Sequence, residues 1–297
     1  LTDPVGNESA KSTPIAVDLD TVAPAAPTID DLADSHGLDL STGGLTNDGS
    51  LDMSGSGATP GDVVKLYDGD DLIGSAVVDA GGNWTVPGAI SGDGPHDISA
   101  SLTDPAGNES AKSAPVVVDL DTTAPDAPTP TLEDSNGLDL TTGGLTNDGN
   151  LEMSGTGATP GDVVKLYDGD DLIGSAVVDA GGNWTVPGAI SGDGPHPISA
   201  TVTDPVGNES ARSAPIAVEL DTTAPDAPTP TLADANGLDL TAGGLTNNGN
   251  LDMSGTGGNP GDVVKLYDGA NLIGSAVVDA GGNWTVPGAI SGDGPHP

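Results

Sequence analysis

Three observations predict an all-β chain, built as tandem immunoglobulin-like antiparallel β-sandwich domains in a linear array. A paragraph of about a hundred residues is written three times, with GGNWTVPGAISGDGPH at 81–96, 181–196 and 281–296, and repetition on this scale marks an array. Short β-branched runs are separated by turn-forming residues at the spacing of a sandwich. With 46 Gly and 25 Pro in 297 residues, no stretch has the length or period of a helix.

The elements of one repeat follow in order. A leading segment near Pro27–Leu32 precedes a strand at Leu51–Ser56. Val63–Tyr67 and Leu72–Val78 form a hairpin through Asp68-Gly69-Asp70-Asp71, whose Asp-Gly favours a tight turn over a ligand role, because the third copy reads Asp268-Gly269-Ala270-Asn271. The Gly81-Gly82 turn leads to Asn83–Val86, then Pro95–Thr103, the Asp104–Glu109 turn and Ala111–Val118. Trp84, Trp184 and Trp284 sit inside strands of a chain without Phe and are expected in the core, as are the three tyrosines. His96, His196 and His296 read as surface turn residues beside Pro, and His36 stands alone.

Proline sets the domain frame. DTTAPDAPTP at 121–130 cannot join a central strand and favours extended, semi-rigid geometry. Its recurrence gives domains at 22–121 and 122–221, a third at 222–297 lacking its last strands, and residues 1–21 as the closing strands of a preceding repeat. Completion of the split domain by another chain would give end-to-end self-association.

With 45 acidic against 6 basic residues the formal charge is −39, so neither nucleic acid nor an anionic membrane is an expected partner. The chain has no Cys, which excludes disulfides and thiolate metal sites, and no apolar run near the ~20 residues that cross a bilayer, so no direct membrane insertion is expected. No HExxH, paired His or Ser-His-Asp constellation occurs, and no catalytic residue or enzymatic activity is expected. Nearly all the acids are Asp, a residue that suits turns and offers oxygen to hard cations. An acidic, cysteine-free, loop-rich array suits the exterior of a bacterium.

The order DTTAPDAPTP, LTNDGNLEMSGTG, PGDVVKLYDG, LIGSAVVDAGGNWTV and HPISATVTDPVGNES resembles the bacterial Ig-like repeats of very large, type I-secreted, calcium-dependent surface adhesins, across essentially the whole chain. The resemblance implies Ca2+ as the cofactor and a role as extender: a rod on the bacterial cell surface that holds a distal binding domain away from the cell, with adjacent repeats and calcium ions as its partners. The alternative is an array that itself binds glycan or protein, or that assembles into an extracellular matrix filament. That reading calls for an exposed aromatic or apolar patch in every copy.

Strand order suggests where a cation would sit. Strand direction places the 32–48 loop, the Asp68–Asp71 turn and the Ser91–Gly94 loop at the pole from which the linker leaves, and Asp62, Asp79 and the Asp104–Glu109 turn at the other. Asp119 and Asp121 are two apart on an extended chain, so their carboxylates share a side. Asp204 and Asn208 of the next TDPVGNES turn are expected to approach them, together supplying oxygens for a calcium shell. The preceding junction repeats this with Asp18 and Asp20 against Asp104 and Asn108; at the next exit Glu219 replaces the first Asp and Asp221 keeps the second. A second candidate is the loop that carries Asp34, Asp39 and Asp48, equivalent to Asp134, Asp139 and Asp148, whose third copy has Asn248.

Overall fold

Alternating burial shapes each repeat of the computed structural model, which describes residues 1–297. In the first repeat the strands are β1 (Asp31–Asp34), β2 (Gly44–Thr46), β3 (Ser50–Gly55), β4 (Val63–Asp68), β5 (Asp71–Val77), β6 (Trp84–Ala89), β7 (Gly94–Thr103) and β8 (Val116–Leu120). One sheet runs β1-β3-β6 and the facing sheet β2-β8-β7-β4-β5. Val64 and Leu66 of β4 point inward with Leu51 and Met53 of β3, Trp84 and Val86 of β6, and Ile98 and Ala100 of β7, forming one apolar core. Period-two patterning produces this directly, because successive side chains leave opposite faces of a strand.

The second repeat forms the same sandwich from β9 (Thr131–Asp134), β10 (Gly144–Thr146), β11 (Asn150–Thr156), β12 (Val163–Asp168), β13 (Asp171–Val177), β14 (Asn183–Ala189), β15 (Gly194–Thr203) and β16 (Ile216–Leu220). These two repeats and the residues before them make one compact unit, Leu1–Asp221. The other unit, Thr222–Pro297, holds β17 (Thr231–Asp234), β18 (Asn250–Thr256), β19 (Val263–Asp268), β20 (Asn271–Val277) and β21 (Asn283–Ala289), with β17-β18-β21 in one sheet and β19-β20 in the other. Its core is correspondingly small, around Leu266, Val278, Trp284 and Val286. No helix is long and apolar enough to cross a membrane.

The strands and the core depart from the sequence reading in four places. A short strand, β2, lies within the loop expected over 32–48 and pairs parallel with β8, Gly44 opposite Val118. Gly44 and the Gly43 before it disguised the strand, yet they permit the pairing: Gly43 has φ 84°, and a Cβ there would meet the Val117 carbonyl at 2.6 Å. The leading strand is β1, displaced toward Asp34 from the expected Pro27–Leu32. The last strand starts at Val116, after Pro115, instead of at Ala111. Over 110–113 serine hydroxyls take the place of ladder carbonyls: Ser110 and Ser113 accept from the backbone N–H of Leu102 at 2.9 Å and of Ala100 at 3.1 Å. Finally, the tryptophans are buried as expected, each 4% exposed, but the tyrosines are not core. Tyr67 lies on the outer sheet face, its hydroxyl 2.8 Å from Glu109 and Lys112 over its ring, and Tyr267 is 49% exposed.

Candidate functional site

An acid-centred turn builds the entry pole of each complete repeat. In TDPVGNES, Asp204 folds its own turn: Oδ1 accepts from the N–H groups of Val206, Gly207 and Asn208, and Oδ2 from the Asn208 side-chain amide at 2.8 Å. The same amide donates to the backbone carbonyl of Asp121, also at 2.8 Å. Asn208 therefore bridges the linker that leaves the first repeat and the acid turn of the second. Asn108 repeats the contact one junction earlier, donating to Asp104 at 2.9 Å and to the carbonyl of Asp20 at 3.2 Å. Asn47 of the first repeat's exit loop lies within 3.6 Å of where a Cβ on Gly207 would stand. The structure thus brings Asp20 toward Asp104 and Asn108, and Asp121 toward Asp204 and Asn208, through the backbone carbonyls of the linker aspartates.

An acid outside the expected ligand set completes this pole. Val63 pairs with Thr103 and Val163 with Thr203 at the ends of their ladders, so Asp62 and Asp162 lie one step beyond, opposite Asp104 and Asp204. Both are 2% exposed. Burial, and after it the charge of Asp104, pushes the Asp62 carboxyl above its ordinary range, with no hydrogen bond lowering it. Asp162 is raised by burial, with Thr159 offsetting in part and Asp204 adding to the rise. At the ladder ends the buried Thr103 and Thr203 hydroxyls have no hydrogen-bond partner. A buried acid with one backbone donor, as in Asp162, or none, as in Asp62, is costly unless something else satisfies it. Asp162 also lines a cavity of about 310 Å³ enclosed by Pro125–Thr129 of the linker, Thr156–Thr159, Trp184 and Val202. In the Thr222–Pro297 unit Asp262 instead accepts a hydrogen bond from the N–H of Asn259 at 3.0 Å.

Asp62 escaped the sequence reading because PGD reads as an ordinary turn. The available signal was its pole, shared with Asp104, together with its place immediately before an inward-alternating strand.

The other candidates are placed differently. Asp18 is exposed in a stretch without regular structure. Asp119 and Glu219 stand opposite Pro95 and Pro195 in their ladders, one residue from His96 and His196, whose pKa values their charges help to raise. Asp221 donates its backbone N–H to Thr146 at 2.9 Å, as Asp121 does to Thr46. Within the exit loop, Asp34, His36 and Asp48 bring ligand atoms within 4.8 Å of one another. Protein donors already serve these acids: Asp34 accepts from His36 N, Leu38 N and the Thr46 hydroxyl, and Asp48 from the Ser35 hydroxyl and Ser50 N. Asp134 and Asp148 are served in the same way, with Asn136 in place of His36. Asp39 and Asp139 only cap the N–H two residues on. The Asp68 turn is a two-residue hairpin, as its Asp-Gly predicts.

Residues 23–122 and 124–222, about two thirds of the chain, match the family model of the bacterial Ig-like domain. No curated protein matches. Among solved structures, the chain is similar to fibronectin(III)-like modules of Clostridium thermocellum CbhA, at 18% identity over 65% of this chain and 93% of that one, TM-score 0.37. It is also similar to the BSP domain of a biofilm-associated protein, at 19% identity over 67% of this chain, TM-score 0.23, where it spans only 30% of the other chain. A third likeness is to the C-terminal domain of the Streptococcus pyogenes antigen I/II-family protein AspA, at 10% identity over 66% and 99%, TM-score 0.29. Two successive matches to one family model, over sandwiches with the same strand order, establish that this chain belongs to the bacterial Ig-like domain family.

Proposed function

We propose that the chain is a structural extender segment of a bacterial surface adhesin whose repeat junctions are stiffened by Ca2+. The observation that carries this reading is the buried Asp162 beside Asp204, at the pole where Asn208 clasps the Asp121 carbonyl. The donor set fits the ion: carboxylates and a carbonyl are all oxygen, the ligand type of a hard cation, and the chain offers no thiolate. Asp162, Asp204 and the Asp121 carbonyl would hold the ion at one junction, and Asp62, Asp104 and the Asp20 carbonyl at the other. Bound there, calcium would supply the positive charge that this pole lacks. The residues themselves already fix linker to turn through Asn108 and Asn208. The Asp34–Asp48 loop takes second place, since folding lowers the pKa values of both its acids and it holds no acid raised by burial as Asp62 and Asp162 are.

Charge supports a need for such an ion. At −39 over 297 residues, neighbouring repeats repel when nothing neutralises them. Extracellular calcium modules bind in the ~0.1–1 mM range, so the junctions would be stiff outside the cell and loose where free calcium is low, which favours passage through a secretion channel. The exposed apolar residues recurring in each repeat, such as Leu72 and Val77, are single side chains on an edge strand, and the tryptophans are buried. Neither makes the repeated aromatic patch that a glycan-binding array requires.

Terbium luminescence tests the site, because Trp184 and Asp162 line the same cavity. Excitation of tryptophan in the full chain should sensitise bound terbium, calcium should displace it, and D62N/D162N should abolish the signal. Calcium-insensitive luminescence, or an unchanged signal in the double variant, would refute the junction site.

A further inference from the structure

The histidine that recurs once per repeat is not a surface turn residue. His96 is half-buried between two acceptors: Nδ1 lies 2.7 Å from Asp68 Oδ2, and Nε2 lies 2.8 Å from the carbonyl of Gly92. His196 has the same two contacts with Asp168 and Gly192, at 2.7 and 2.8 Å. His296 has them with Asp268 and Gly292, at 2.9 and 3.1 Å. A backbone carbonyl can only accept, and so can an ionised carboxylate. Both ring nitrogens must therefore carry protons for both bonds to exist, which makes the ring an imidazolium. A neutral ring would satisfy one oxygen and turn a lone pair toward the other.

The turn held in this way carries a second function. Its next residue, Asp93, reaches past its own domain and grips the linker. Its Oδ1 accepts from the backbone N–H of Thr122 at 3.0 Å and from the Thr122 hydroxyl at 2.7 Å, while Oδ2 accepts from the Thr123 hydroxyl. Gly92 and Asp93 are consecutive, so the oxygen that His96 holds and the carboxylate that holds the linker belong to one four-residue turn, Ser91–Gly94.

We propose that His96 is a protonated latch: as imidazolium it ties the Ser91–Gly94 turn to the end of β4, and through Asp93 that turn grips the linker to the next repeat, so the firmness of the joint depends on one proton.

The charged groups acting on the ring are Asp68, hydrogen-bonded to it from the end of β4, and Asp119 of β8, which acts through its charge from a position opposite Pro95 in the ladder. Lys112, the cation at the neighbouring hairpin tip, is engaged by the Gly69 carbonyl at 2.7 Å and by Asp70 at 3.2 Å. Burial alone would lower the pKa of the ring, but the Asp68 and Gly92 acceptors and the Asp119 charge outweigh it, and the net direction is upward from 6.5. A raised histidine pKa stabilises the folded state fully below the unfolded value of about 6.5 and loses that contribution as pH rises through the folded value. The latch is therefore closed in mild acid and opens toward alkaline pH. The latch shares no side chain with the junction acids, but the Thr122 N–H belongs to the same peptide group as the Asp121 carbonyl, so the latch is read both with calcium and with chelator.

The test is NMR on the full chain with labelled histidine, from pH 5 to 9, once with calcium and once with chelator. The ring nitrogens of His96, assigned by their loss in H96Q, should keep both protons to higher pH than the same ring in the urea-unfolded chain. Over the same pH range, hydrogen-exchange protection of the Thr122 amide, corrected for the intrinsic rate, should fall about tenfold, the scale of one charge-assisted hydrogen bond. D93N should lower that protection at every pH and leave the His96 titration in place, while His196 reports that the chain remains folded. Titration of His96 together with the unfolded reference, or Thr122 protection that stays level while His96 loses its proton, would overturn the latch.

Discussion

Single carboxylates in this chain do opposite jobs, and their surroundings decide which. Asp62 and Asp162 are buried and poor in donors, so folding raises their pKa values. The folded state then binds protons more tightly than the unfolded one, and in chelator this contribution falls as pH rises from 3.8 through the folded value. D162N should therefore stabilise the second repeat in chelator by about 1 kcal/mol, the scale of one unsatisfied buried group, and destabilise it in millimolar calcium. Thermal unfolding in both buffers reads this change of sign. Glu109 is the reverse case. Lys65 first, then Ser101 and Tyr67, hold its pKa down to about 2; burial pushes Asp34 up but the donors of its loop together outweigh it, and Asp48, Asp104, Asp134 and Asp148 are likewise lowered by the donors of their own turns and loops. Groups lowered by folding stabilise above their unfolded values and lose that contribution as pH falls through the folded ones. Melting temperature should accordingly decline from about pH 4.5 toward pH 2. Since Glu109 is 39% exposed, E109Q alone should cost no more than about 1 kcal/mol and should flatten part of that acid decline.

At the scale of elements, legibility followed chemistry. Strands with inward alternation, such as β4 with Val64 and Leu66 inside, could be read from sequence because period two is their only requirement. So could the hairpin at Gly69 and the burial of the tryptophans. What could not be read depended on partners far along the chain. Strand β2 exists because the β8 backbone lies against Gly43 and Gly44. The displaced start of β8 reflects serines that serve β7. For the candidate site, the juxtaposition of Asp20 and Asp121 with the Asn108 and Asn208 turns was legible from strand direction. Asp62 and the Asp93–Thr122 grip were not, because PGD and SGDG look like turns whatever their carboxylates touch. Ser213→Ala should leave the Ala200 N–H without its 3.0 Å partner and cost about 1–3 kcal/mol. Gly155→Ala should cost a similar amount, because its Cβ would fall on the Trp184 indole and the core has no slack to yield. Chemical denaturation of each variant measures both costs.

For the whole molecule, small cores and a large negative charge set the terms. Each complete repeat is organised around one aliphatic cluster with a single tryptophan, so a domain of about a hundred residues has little stability to spare. Neutralising the junction acids would then act on stability and on joint stiffness together, since an ion that binds only the folded junction stabilises it by mass action. Small-angle scattering of the 297-residue chain in millimolar calcium and in chelator, beside D62N/D162N, tests this most directly. In calcium the chain should show a longer maximum dimension and a narrower spread of conformations, with the double variant insensitive to the ion. Superimposable curves for the parent chain in the two buffers would contradict this.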